Sequence, residues 1–175
     1  MIIWDDERVA RYASEFKTLN TPLVSDALYL KFGVRGHLFT SEVRPVLRDW
    51  QVAGPALTVQ GSAAYTPIEE EFDPNGPGVL GGIHVAVEDR LRPGSVVVIS
   101  SGYSEVDVVG DILGLTWKNA GMQALVADGP VRDSFGYIED DIPLFCTHTM
   151  PICAESHWKM TDIDVPVWVR GQLGE

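Results

Sequence analysis

The sequence predicts an α/β domain, and three observations predict it. Strand-like and helix-like segments alternate along the second half of the chain. Residues 95–100 (SVVVIS) form a nearly continuous β-branched run, as expected of a strand buried on both faces. Residues 123–127 (QALVA) form a second apolar run, preceded by a helix-like segment over 111–120 that Gly121 stops. The length, 175 residues, suits one domain, 1–175, with a sizeable core.

The elements follow in order. Residues 5–18 carry helical apolar spacing at Val9, Tyr12, Ala13 and Phe16, with Asp5 or Asp6 as N-cap. Thr21-Pro22 starts a second helix, Thr21 capping and proline at the first helical position, with Val24, Ala27 and Leu28 turned inward. Its Ser25-Asp26 pair faces a site or solvent. Residues 53–60 read as a strand entered through Gly54-Pro55. Residues 65–78 are acidic and rich in proline and glycine, a loop with at most one helical turn. A helix is expected from Gly81 to Leu91, a turn at Pro93-Gly94, then the 95–100 strand. A glycine-containing loop, 101–107, leads into the helix at Asp111. Strands near 143–147 and 165–170 complete the chain.

Composition excludes several functions. The hydrophobic share is 45% and the charged share 22%, ordinary for a globular protein. The formal net charge is -12, which argues against a nucleic-acid binder, since phosphate contacts require a basic footprint. No apolar stretch is long enough to span a membrane, and MIIWDDERVARY lacks the basic region of a secretory signal. Two cysteines, Cys146 and Cys153, do not make a disulfide framework, so a cytoplasmic location is expected.

The most informative stretch runs from Gly110-Asp111 to Arg132-Asp133. A ten-residue helix rises roughly 15 Å and a five-residue strand returns about 16 Å. Asp128-Gly129-Pro130 then turns the chain, which leaves Arg132 and Asp133 beside the start of the helix. One locus would hold two carboxylates, one guanidinium and the free N–H groups of a helix N-terminus. That combination suits a hard metal ion and a small oxo-acid anion. The competing reading makes Asp111 a helix N-cap and Arg132-Asp133 a surface ion pair at another helix start.

Five segments in this order resemble the RraA-like family, which includes class II pyruvate aldolases acting on 4-hydroxy-4-methyl-2-oxoglutarate. They are Thr21-Pro22-Leu23-Val24-Ser25-Asp26-Ala27-Leu28, Gly54-Pro55-Ala56-Leu57-Thr58-Val59, Arg92-Pro93-Gly94-Ser95-Val96-Val97-Val98, Gly110-Asp111, and Asp128-Gly129-Pro130-Val131-Arg132-Asp133. The resemblance covers about residues 20–171. It implies a layered β/β/α domain of the swivelling, phosphohistidine-domain-like type. It also implies a lyase that cleaves a 4-hydroxy-2-oxo acid to pyruvate, with oxaloacetate decarboxylation as a side activity. By resemblance, Asp133 binds Mg²⁺ (or Mn²⁺) directly and Asp111 reaches it through water. Arg132 meets the keto oxygen, and the Ile112 and Leu113 amides hold the carboxylate, with Gly110 allowing close approach. A homotrimer or pair of trimers is implied, with a small 2-oxo acid as substrate and neither nucleic acid nor membrane as partner.

The resemblance has gaps. Typical members continue past the strand matching Val165-Pro166-Val167 with a further hairpin, whereas this sequence ends at Glu175. The acidic segment 68–76 offers no clean equivalent of the family's substrate-adjacent Asp-Asn. A non-catalytic regulator that binds a ribonuclease, or an inactive truncated paralogue, is the alternative.

Other clusters read more simply. Cys146, His148, Cys153 and His157 are zinc-compatible types, but their spacing fits no standard finger, and the cysteines are expected to be small buried hydrophobes. Glu69, Glu70 and Glu71 read as a solvated turn, and His84 with Glu88 as a surface pair. Trp117 and Trp168 are expected in the core or at a subunit contact. The glycines of 78–82 do not have dinucleotide-binding spacing.

Overall fold

The computed structural model describes residues 5–65, 83–170 and 172–174, with backbone alone for 83–84 and 172–174. The chain opens with α1 (Asp6–Lys17), capped by Asp5, whose side chain accepts from the Glu7 and Arg8 amides. Its apolar residues do not reach the core, and none is buried. Val9, Tyr12 and Phe16 instead line an open groove of about 710 Å³ together with Val24 and Val165. The cap of α2 (Thr21–Asp26) is Asn20, not Thr21. The Asn20 side chain accepts from the Leu23 amide at 2.9 Å, so Pro22 falls at the second helical position. The helix widens into a π-turn over Ala27–Lys31. Val24 and Leu28 are half-buried, but Ala27 is exposed.

The strands then assemble. They are β1 (Arg44–Pro45), β2 (Ala56–Ala63), β3 (Ser95–Ser100), β4 (Met122–Ala127), β5 (Leu144–Cys146), β6 (Trp158–Ile163), β7 (Val167–Val169) and β8 (Gln172–Gly174). The helices between them are α3 (Ile83–Glu88), α4 (Asp111–Asn119) and α5 (Ser134–Glu139). Six strands form one sheet in the order β1-β5-β4-β3-β2-β6. Its four central strands are parallel, and β1 and β6 run antiparallel at the two edges.

β3 is buried along its whole length, as its β-branched run predicts. Alternation divides its side chains between two cores. Val97 and Ile99 join Leu125 and Ala127 of β4, Trp117 of α4 and Tyr137 of α5 on the helical side. Val96 and Val98 join Ala124, Val126, Val167 and Val169 on the other side, under the β7–β8 hairpin. The result is a hairpin, a sheet and a helical layer, the mixed α/β architecture expected from sequence.

Two segments depart from the expected layout. β2 begins three residues later than expected and runs to Ala63. Strand β6 was not expected, because Trp158-Lys159-Met160-Thr161-Asp162-Ile163 has no clean alternation. It is fixed by Trp158, whose ring lies against Gly61 and whose Nε1 donates to the Ser101 carbonyl at 2.8 Å. Any Cβ at Gly61 would occupy the indole. Trp117 is fully buried as expected, whereas Trp168 lies exposed on the outer side of the hairpin. The Glu69–Glu71 turn, the 78–82 glycines and the His84 side chain lie outside the described residues. Among the described residues, no helix is long and apolar enough to cross a membrane.

Candidate active site

Parallel strands place their carboxyl ends on one rim of the sheet, where α/β domains build sites. β3 leaves that rim through residues 101–110 into α4. β4 leaves it through 128–133 into α5. A backbone bond ties the two exits together, Val108 N–H donating to the Pro130 carbonyl at 3.1 Å, and Val131 N–H ties the second exit to the His148 carbonyl at 3.1 Å. A third segment is stitched on by Asp107 N–H, which donates to Ile152 O at 3.2 Å.

The N-cap of α4 is Gly110, in extended conformation with no side chain to cap the helix. Asp111 therefore stands in the first turn and is not the cap. The first amides of a helix have no partner inside it, which leaves those of Ile112 and Leu113 available to an anion. Gly110 O accepts from Gly114 N–H at 3.2 Å and from the buried Tyr137 hydroxyl at 2.8 Å, which fixes the start of the helix.

Arg132 and Asp133 arrive beside it. Arg132 Nε lies 3.1 Å from Asp133 Oδ2, so the ion pair at a helix start is real. Asp133 occupies the N-cap position of α5, but its side chain caps nothing. Its backbone is left-handed, φ 56° and ψ 35°, a conformation that costs a non-glycine residue on the order of 1–3 kcal/mol and concentrates at functional sites. A Cβ on Gly110 would stand 3.1 Å from both Arg132 Nε and Asp133 Oδ2. A Cβ on Gly136 would collide with the Asp111 carboxylate. Two glycines thus leave room for the Asp111, Arg132 and Asp133 side chains beside the start of the helix. Gly110, Asp111, Arg132 and Asp133 share one locus, with Ile112 and Leu113 following on the helix.

The sequence did not single out Asp107. Its carboxylate is 3% exposed, and Oδ2 lies 3.8 Å from Arg132 Nε. Its Oδ1 has no hydrogen-bond partner. Burial raises its pKa from the ordinary 3.8 to about 6, against the lowering pull of Arg132 and with smaller upward pushes from Glu155 and Asp133. The available signal was an acid inside the apolar run Val106-Asp107-Val108-Val109. Burial also raises the Tyr137 hydroxyl well above its ordinary value, so it remains a donor to Gly110.

The zinc-compatible residues do not assemble. Among the described residues, no three His, Cys, Asp or Glu side chains converge to hold a metal ion. Cys146 is buried, which raises its thiol to about 11, as suits a small hydrophobe. Cys153 departs from that expectation: it is half-buried, and a hydrogen bond with Glu155 raises its thiol. A hard divalent cation is a different matter. It needs few protein carboxylates and completes its shell with water and substrate oxygens. Asp133, about a third exposed and unused as a cap, has the chemistry for one such contact.

The sequence profile of the RraA-like family, described as Aldolase/RraA, matches residues 21–173. The chain belongs to the RraA-like family. A protein of Halalkalibacterium halodurans named "Putative 4-hydroxy-4-methyl-2-oxoglutarate aldolase" is 30% identical over 165 residues, which span 91% of this chain and 67% of that protein. The structure of Streptomyces coelicolor RraAS2, described as an unusual member of the RNase ES inhibitor RraA protein family, superposes with a TM-score of 0.72 at 26% identity, covering 97% of this chain and 78% of that one. A structure described under novel cellulases from gut-associated microbes has a TM-score of 0.79 at 20% identity, covering 99% and 72%, and shows likeness of fold alone. The RraA-like fold thus accommodates proteins named for different activities, and the local site has to discriminate among them.

Proposed function

We propose that the protein is a divalent-metal-dependent lyase of the pyruvate aldolase type, cleaving a 4-hydroxy-2-oxo acid to release pyruvate. One observation carries this reading: the start of α4, Arg132 and Asp133 meet in a space kept open by Gly110. The name of the Halalkalibacterium relative supports it.

Each residue has a task in that chemistry. The Ile112 and Leu113 amides bind the substrate carboxylate at the positive end of the helix. Arg132 faces the 2-oxo oxygen and stabilises the charge that develops there as the C–C bond breaks, staying cationic throughout. Asp133 would hold Mg²⁺ or Mn²⁺, with Asp111 reaching it through water, and the cation when bound would supply Lewis acidity. Decarboxylation of oxaloacetate leaves the same pyruvate enolate, so it belongs to the reading as a side activity. Assembly as a trimer or pair of trimers belongs to it as well, supported by apolar side chains exposed over 23–39, among them Leu23, Tyr29, Leu30 and Phe32.

The test is pyruvate release from 4-hydroxy-4-methyl-2-oxoglutarate and from oxaloacetate, with Mg²⁺, with chelator, and with Arg132→Ala. Turnover that needs the metal and disappears with the substitution is expected. The likeness to RraAS2 favours a second reading, a regulator of an RNA-degrading endonuclease. Inhibition of such an enzyme, with no pyruvate release under any condition, would establish that reading instead.

A further inference from the structure

We propose that Asp107 is the positioning residue of this site: its buried carboxylate holds the Arg132 guanidinium beside the N-terminus of α4, in the pose that receives an anionic 2-oxo acid. The inference rests on the reading of Arg132 as the cation that meets the substrate.

The geometry supports this in three ways. First, Asp107 and Arg132 belong to the two loops that Val108 N–H and the Pro130 carbonyl cross-link, so their separation is set by backbone. Second, Asp107 is 2% exposed, and its Oδ1 meets no donor, while Oδ2 lies 3.8 Å from Arg132 Nε. A buried carboxylate without a full set of partners is costly to keep. Arg132 is the cation that acts on it, while Glu155 and Asp133 bear on it as like charges. Third, Arg132 is itself a third exposed, while its Nε is buried beside the Asp107 and Asp133 carboxylates without a hydrogen bond, so charge alone sets its direction.

Asp133 alone cannot do this work. It lies 3.1 Å from the same Nε, but it is about a third exposed and stands next in the chain, so it moves with Arg132. Asp107 is anchored from outside, through its own amide on Ile152 and its place ahead of α4. A counter-ion fixed to a different segment gives the guanidinium a definite direction. Misplacing a binding group by about an ångström costs up to roughly a hundredfold in activity.

The test uses the full chain with Mg²⁺ and pyruvate as the probe. Asp107→Asn keeps the shape of the side chain and removes its charge. We expect pyruvate affinity to fall roughly tenfold to a hundredfold, while the melting temperature is held or raised. In the wild type, the Arg132 Nε–H resonance should exchange more slowly with solvent than those of surface arginines, and Asp107→Asn should remove that protection. A purely structural carboxylate would give the opposite pattern, a lower melting temperature with pyruvate affinity unchanged in the folded fraction. If Asp107→Asn does not fold, the wild-type exchange rate decides, and fast exchange at Arg132 overturns the proposal. Arg132→Ala is the reference. If it weakens pyruvate binding while Asp107→Asn does not, the positioning role alone fails. If neither weakens it, the aldolase reading fails too.

Discussion

Two buried aspartate–arginine pairs lie on the same rim of the sheet, and they are built to opposite ends. Asp128 accepts from the Arg170 backbone N–H at 2.9 Å and lies 2.8 Å from Arg170 Nε. Arg170 continues to Glu42 at 2.9 Å and stacks over Tyr103, its carbon 5.4 Å from the ring centre. Asp107 has Arg132 at 3.8 Å and a backbone hydrogen bond from Ala154, a longer ion pair than the one Arg170 gives Asp128. Burial raises both carboxylates above their ordinary pKa. The difference lies in what surrounds the cation. Arg170 is enclosed by protein groups and fastens β7 to the end of β4. Arg132 is a third exposed and lies between Asp107 and Asp133. The closed pair fastens two segments, whereas the open one leaves a partly exposed cation beside the start of a helix.

The largest effect should separate the two pairs by activity. On the aldolase reading, Arg132→Ala would remove the cation at the developing oxyanion, and losses of this type run to roughly 10²–10³ in kcat. Arg170→Ala should leave kcat of the folded protein near wild type, as measured by pyruvate release per folded molecule. Equal losses in both variants would erase the distinction drawn here.

Stability should divide them the other way. Arg170→Ala leaves Asp128 buried without its cation and detaches β7, which costs about 3–5 kcal/mol. Arg132→Ala should cost less, because at 3.8 Å from Asp107 it is a looser partner than Arg170, which lies 2.8 Å from Asp128. Urea unfolding of the two variants reads this directly. A third variant, Gly136→Ala, attacks the open site from its floor. Its new methyl would enter the space of the Asp111 carboxylate, and overpacking of this kind costs about 1–3 kcal/mol. Pyruvate turnover should fall along with stability. A fully active Gly136→Ala protein would show that Asp111 does not need its observed position.

The contrast also explains what the sequence could and could not reveal. β3 and β4 were legible because burial on both faces demands apolar runs, and Val96–Ile99 and Ala124–Ala127 supply them. The approach of Arg132 and Asp133 to the start of α4 was legible because one helix and one strand connect them, so their path is local geometry. Asp107 was not. Its burial depends on residues 150–154 arriving from more than forty positions away, and a single acid in a loop carries no periodicity. The Asp128–Arg170 pair was hidden for the same reason: its partners lie 42 residues apart. The face of α1 was legible and misleading. Val9, Tyr12 and Phe16 have the spacing of a core face, but among the described residues they border an open groove rather than a packed layer. Periodicity reports which face is apolar, not what covers it.

The smallest effect is a change in the pH dependence of stability, and its sign is diagnostic. Asp107 titrates near 6 in the folded protein and near 3.8 when exposed. Between those values the folded state holds the proton more tightly than the unfolded state. Stability from this group is therefore present below about 4 and is lost as pH rises through about 6. The loss is at most about 3 kcal/mol by the free energy per pKa unit, and on the order of 1 kcal/mol once local relaxation lets water reach the carboxylate. Asp107→Asn cannot ionise, so it should match the wild type near pH 4 and exceed it at pH 7, as read by paired urea melts. An Asp107 wholly stabilised by its cation gives the reverse: the asparagine variant weaker at pH 7 than the wild type. That result would make the Asp107–Arg132 pair a stabilising contact, against the upward push that burial gives this carboxylate.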